Sequence, residues 1–104
     1  MARERVYELV IIFDPGLEDE KIEGKVKKLE ERLTAGGGRI EEILRWGKRR
    51  LAFAIKKKES GNYRVLKFVS MPGQLEEIER GLKLDEEVLR HLIVYKGTVQ
   101  EGGQ

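Results

Sequence analysis

Arg45 to Lys58 reads RWGKRRLAFAIKKK. Leu51, Phe53 and Ile55 recur at every second position, the period of a strand with one buried face. Arg45, Lys48, Arg49, Arg50, Lys56, Lys57 and Lys58 share the same stretch. Clustered like charge belongs in solvent or against a polyanion. Just upstream, Ile40, Leu44 and Trp46 stand at even positions, whereas Leu51, Phe53 and Ile55 stand at odd ones. The switch of parity places a bulge or kink near Gly47 in one strand from Arg39 to Ile55. The expected arrangement buries the Leu51–Phe53–Ile55 face in the core and leaves the cations on an edge and an outer face.

The flanking segments fix the rest of the order. Val6 to Phe13 is a first strand, with Tyr7, Leu9, Ile11 and Phe13 on one face and apolar Val10 and Ile12 on the other. A strand apolar on both sides belongs in the middle of a sheet. Asp-Pro-Gly at 14–16 breaks it. Ile22, Val26, Leu29 and Leu33 form one helical stripe, with Glu18, Asp19 and Glu20 at its start, Arg32 near its end and three glycines at 36–38 to stop it. KKKESGN (56–62) reads as a hairpin loop, and Tyr63 to Met71 as a third strand. Pro72 suits the first turn of a second helix with the stripe Leu75, Ile78, Leu82. Val88 to Lys96 is a fourth strand whose two faces are equally apolar, so its inward set stays open.

The order βαββαβ, built as two right-handed split βαβ units, is an α+β, ferredoxin-like sandwich. It predicts a four-stranded antiparallel sheet of order 2-3-1-4 with both helices on one face and the second strand on an edge. Residues 1–97 are expected to form one domain and residues 98–104 a flexible C-terminal tail, glycine-rich and without periodicity.

Composition narrows the function classes. The chain has 104 residues and no cysteine, which excludes disulfides and thiolate chemistry. The first residues mix charge into a short apolar run, so neither a signal peptide nor a membrane span is expected. The net charge is only +2, but residues 39–58 carry a local +6, leaving −4 for the rest. That asymmetry is a possible electrostatic footprint. Catalytic signals are poor. His91 is the single histidine and lies inside a strand pattern. GGGRIE and EGKV fail the dinucleotide and phosphate-loop patterns. The pairs Glu30–Glu31, Glu76–Glu77 and Glu86–Glu87 sit among lysines, as solvated faces do. No catalytic residue, metal ligand, cofactor or small-molecule substrate is expected. An RNA-binding sheet of the RNP kind would need exposed aromatics on the first and third strands, and NYRVLKF and VYELVI supply that pattern poorly. Clustered arginines beside Trp46 do resemble interface anchors.

WGKRRLAFAIKK, Trp46 to Lys57, resembles the signature of the bacterial small-subunit ribosomal protein six family: glycine, a basic pair, leucine, a small residue, an aromatic, any residue, isoleucine and a basic residue. Phe53 stands where tyrosine is usual. The similarity extends to YE in the first strand, GNY before the third, MP opening the second helix and LDEEVLRHLIV leading into the fourth. The resemblance implies a non-enzymatic constituent of the small ribosomal subunit, cytoplasmic on the ribosome. It implies binding to the central domain of 16S ribosomal RNA together with small-subunit protein eighteen, as a heterodimer. Trp46, Arg49 and Arg50 are then the expected partner contacts, and Arg3, Arg45, Lys48, Lys56 and Arg90 the expected RNA contacts. The alternative is a generic ferredoxin-like RNA-binding or protein-interaction module outside the ribosome. An acylphosphatase-like enzyme on the same fold would need an anion-cradling loop after the first strand, where this chain has acidic DPGLEDE.

Overall fold

The computed structural model describes residues 4–99. Its elements are β1 (Arg5–Phe13), α1 (Asp19–Ala35), β2 (Arg39–Ile55), β3 (Lys58–Ser70), α2 (Gln74–Leu84) and β4 (Val88–Thr98). The sheet order is β2-β3-β1-β4, and all neighbours are antiparallel. Tyr7, Leu9, Ile11 and Phe13 of β1 pack with Ile22, Val26 and Leu33 of α1 and Ile78 of α2 in one core. Both helices therefore cover the same face, and the ferredoxin-like sandwich is the observed fold.

Each helix follows from its local chemistry. Asp14 accepts a hydrogen bond at Oδ1 from the Gly16 N–H, and its carbonyl accepts one from Leu17 N–H, turning the chain before α1. Asp19 and Glu20 then occupy the positive end of the helix and Arg32 the negative one. At the other end, Gly38 N–H donates to the Leu33 carbonyl and Gly37 N–H to that of Thr34. This double closure needs a left-handed residue, supplied by Gly37 at φ 97°. α2 begins two residues later than expected. Pro72 lies in the preceding turn, Gly73 occupies the N-cap position and the Gln74 side chain accepts from Met71 N–H.

The second strand departs most from expectation. The kink at Gly47 is present, with a register shift between Arg45 and Gly47 and Gly47 at φ 78°. A second shift lies between Ile40 and Glu42. It separates residues expected to share a face: Ile40 and Ile43 pack against the main core, while Leu44 and Trp46 lie on the face without helices. A third shift falls between Arg50 and Ile55, where Leu51 to Ala54 stand opposite Glu59 alone. The strand arches there. Leu51 swings onto Ile12 and Leu89, forming a small cluster on the helix-free side with Ile55 and Tyr63 packed against it. The Leu51–Phe53–Ile55 face is thus not the inner core, and Phe53 is 68% exposed.

The hairpin loop is also shorter than expected. Ile55 pairs with Lys58, so only Lys56 and Lys57 turn the chain, both with positive φ, as a two-residue turn matched to strand twist requires. Residues 58–62 belong to β3. β4 continues to Thr98, and Val99 N–H donates to the Glu4 carbonyl, so the described part of the expected tail is attached to the sheet. The remainder of that tail, residues 100–104, lies outside the described residues.

Candidate interaction surface

The register of the sheet defines its helix-free face. Leu44 of β2 pairs with Val65 of β3, Val65 with Val10 of β1, and Val10 with Leu92 of β4. Because paired residues share a face, one apolar row crosses all four strands. Its centre is sheltered, but Leu44 is 40% and Leu92 60% exposed. Val94 adds exposed apolar surface on the same side of β4. In the neighbouring row Glu42, Lys67 and Glu8 alternate in charge before reaching Val94. The parity of β4 is settled by the same pairing. Ile93 and His91 face the helices opposite Leu9 and Ile11, while Leu92 and Val94 face outward.

The bulge at Gly47 places Trp46 beside Tyr63. Their rings stack with centroids 6.2 Å apart at 24°, and the Arg49 guanidinium carbon stands 5.1 Å from the centre of the Trp46 ring. The result is a cation–aromatic–aromatic ladder next to the apolar row. The indole restrains Arg49 in place, and desolvation strengthens such a contact. Trp46 is itself 45% exposed. An apolar strip flanked by a held arginine and a large aromatic has the composition of a protein-docking surface.

The other expected site residues have separate positions. Arg50, one residue on from Arg49, alternates to the opposite side and reaches only to Glu59, 3.8 Å away. Lys48 is exposed on β2. Arg45 does not present a free cation. Its Nε and Nη2 donate to both oxygens of Glu23 on α1, at 2.9 and 2.7 Å. That hydrogen bond leads the causes that lower the Glu23 carboxyl below its usual range, and the same contact raises Arg45. Lys56 lies at the hairpin turn, with Nζ donating to the Val88 carbonyl at 3.3 Å. Arg90 is exposed on β4, opposite Ile12. Arg3 lies outside the described residues.

Reading the sequence did not single out Tyr63, Leu44, Val10 or Leu92 as a surface. The available signal was the two-sided apolarity of the first and fourth strands, and it lacked the register that joins them. His91 has a plain role, lying 3.5 Å from Glu79 of α2. Among the described residues there is no group of three or more acidic, histidine or cysteine side chains that could hold a metal ion, and no helix long and apolar enough to cross a membrane.

Comparison with known proteins agrees with this architecture. The family described as Ribosomal protein S6 matches residues 6–95. The small ribosomal subunit protein bS6 of Paenarthrobacter aurescens is 41% identical over 90 residues, covering 86% of this chain and 89% of the relative. That of Heliobacterium modesticaldum is 35% identical over 92 residues, covering 88% and 96%. The crystal structure of 30S ribosomal protein S6 from Thermotoga maritima superposes with a TM-score of 0.82 at 28% identity, covering 90% of this chain and 89% of that one. These relatives are named as ribosomal proteins and not as enzymes. With the family match spanning nearly all of the described residues, the chain belongs to the ribosomal protein S6 family of the small ribosomal subunit.

Proposed function

We propose that this chain binds the central domain of 16S ribosomal RNA jointly with small-subunit protein eighteen, as one half of a heterodimer. The helix-free sheet face is the surface that receives the protein partner. The observation that carries this reading is the apolar row Leu44–Val65–Val10–Leu92, open at both ends and bordered by the Arg49–Trp46–Tyr63 ladder. A row of this kind left in water is a standing cost that a partner removes. Its cytoplasmic place on the ribosome follows from the same reading.

Trp46 and Arg49 belong to the partner surface. Of the residues expected at the RNA, Lys48, Lys56 and Arg90 are the described cations not engaged by a carboxylate. Arg45 contributes to RNA binding only after giving up Glu23. The net charge of +2 is too small for strong binding to RNA by this chain alone. The test mixes the chain, protein eighteen and a central-domain 16S fragment. Retention of the RNA that requires both proteins is the expected result. Tight retention by this chain alone, or none with both present, would refute it.

A further inference from the structure

The helix side of the sheet holds a cleft that neither the apolar row nor its aromatic border uses. α1 and α2 lie over the sheet side by side and are tied to each other at two places. Lys25 of α1 reaches Asp85, just past the end of α2, at 2.7 Å, and Gln74 at the start of α2 donates to the Leu33 carbonyl at 3.2 Å. Between these ties the helices leave a space of about 250 Å³, with Ile11 of β1, Val26 and Leu29 of α1, and Ile78 and Leu82 of α2 among its walls. Lys28 and Arg32 line it on the α1 side. We propose that this cleft binds a small monocarboxylate carrying an apolar ring or short branched chain. The apolar part lies between the helices and the carboxylate against Lys28 and Arg32. The proposal is independent of the RNA and protein-eighteen reading, because the site is on the other side of the sheet.

Three observations support the assignment. First, the space is left by a residue choice. Gly81 lies inside α2 and lines the cleft, at a position where glycine weakens a helix and a larger apolar side chain would fill the gap. A Cβ at position 81 would stand 3.1 Å from Arg32 Nη1, so the guanidinium of α1 reaches across to the backbone of α2. Second, the charge is one-sided. Lys21, Lys25, Lys28 and Arg32 recur at spacings of 4, 3 and 4 along α1, directly beside the apolar stripe Ile22, Val26, Leu29, Leu33. Like charges so spaced repel one another, which an anion relieves. Asp85 is the one carboxylate among the described residues that line the cleft, and Lys25 holds it together with Glu87. Glu31 and Glu77 are exposed on the two helices and do not line it. Lys28 and Arg32 make no ion pair among the described residues. Arg32 has the paired N–H donors that suit a carboxylate. Third, size and wall chemistry select the ligand. The space is below the roughly 300–1,000 Å³ of drug-sized sites, so it suits a ligand of about ten non-hydrogen atoms. A partner helix is about 10 Å across and does not fit between the ties. A bare inorganic anion would leave the apolar walls in water.

The experiment needs neither RNA nor partner protein. The isotope-labelled chain is titrated with phenylacetate and with isovalerate, which represent the ring and the branched chain, and amide shifts are followed by NMR. Acetate, 2-phenylethanol and inorganic phosphate serve as comparisons that lack the apolar part, the charge, or both the apolar part and the carboxylate. At least one of the two carboxylates is expected to shift the amides of Lys28, Leu29, Arg32, Gly81 and Leu82 in a saturable way. Its affinity should exceed that of each comparison compound at least about fivefold. It should also raise the melting temperature, as any ligand of the folded state does. Arg32→Gln and Lys28→Gln alter exposed side chains, and the double variant should bind at least about threefold more weakly with the rest of its spectrum unchanged. Gly81→Leu should fill the cleft and abolish the shifts. If that variant disturbs the fold, the charge variant decides alone. Arg49→Gln, on the other side of the sheet, should bind like the parent. The proposal is overturned if neither carboxylate gives saturable shifts at these amides, if acetate or phosphate binds as tightly, or if the charge variant binds like the parent.

Discussion

Arg64 is a cation buried inside the sheet–helix interface. It lies in the middle of β3 on the helix-facing side, where its side chain is 3% exposed. Nη1 donates to Asn62 Oδ1 at 2.7 Å and to the Tyr63 carbonyl at 3.1 Å, and Nη2 to Asp19 Oδ1 at 3.3 Å. Nε has no hydrogen-bond acceptor among the described residues, although Glu23 Oε2 is 3.5 Å away. Glu23 thus balances two guanidinium groups, Arg64 below it and Arg45 beside it. Removing its charge by Glu23→Gln leaves Arg64 poorly compensated. The Glu23 side chain is 40% exposed, so solvent screening holds the expected cost near 1 kcal/mol, below that of breaking a fully buried pair. The pH dependence has a definite sign. Interaction with Arg45 lowers the Glu23 pKa in the folded protein, so its contribution is present above the ordinary glutamate range and is lost as pH falls through the lowered value. Urea unfolding should show parent and variant apart at neutral pH and converging in acid. A gap that widens in acid would contradict the assignment. Neither Arg45 nor Arg64 could be placed from sequence. Charge is visible there, but the carboxylate that occupies it lies on another element. Lys57 is a second case: Lys57→Gly relieves the left-handed backbone and should raise stability by about 0.5–1 kcal/mol in thermal melts.

At the scale of elements, the helices and the strand order could be read because each carries an unbroken periodic signal. Of the stripe Ile22, Val26, Leu29 and Leu33, Leu29 is half-buried and the other three are buried, and β1 takes the central position that its two apolar faces require. β2 resisted the same reading. Its three register shifts each reset the alternation, and only the one at Gly47 has a glycine to mark it. The arch at Leu51–Ala54 has a consequence that can be measured. Leu51 is 9% exposed but sits in a cluster of few residues, so Leu51→Ala should cost about 2 kcal/mol, at the lower end for a buried leucine. Phe53 is mostly in solvent, and Phe53→Ser should change stability by less than about 0.5 kcal/mol. A core position for Phe53, as plain alternation suggests, predicts a loss of about 3 kcal/mol or more. Chemical denaturation of the two variants separates these cases. The candidate site was only partly readable for the same reason. Trp46 and Arg49 stand out by residue type, but Tyr63 becomes their neighbour only through the bulge.

The whole molecule divides its two kinds of surface. The apolar row crosses the helix-free face, while basic side chains concentrate along β2 and its hairpin turn, among residues 39–58. The total charge of +2 conceals the local +6 of residues 39–58, because the rest of the chain sums to −4, mostly from acidic residues outside the two helices. Such an arrangement lets a protein partner and an RNA be held at once without competing for one patch. It also makes the two contacts separable by experiment. Leu92 is 60% exposed at the end of the apolar row, so Leu92→Glu should leave the melting temperature nearly unchanged. On docking it buries a carboxylate without a counter-charge, a cost of several kcal/mol, and affinity for protein eighteen should fall by at least tenfold. Trp46 is the one tryptophan, and its emission offers a direct titration signal on the docking face. RNA retention by the two proteins together should fall with the Leu92→Glu variant at every salt concentration, since the lost contact is apolar. Lys48→Gln/Lys56→Gln should instead keep the partner affinity and flatten the salt dependence of RNA retention. If Leu92→Glu bound protein eighteen as the parent does, the apolar row would not be the docking surface, and the heterodimer would have to form through the helices or a sheet edge.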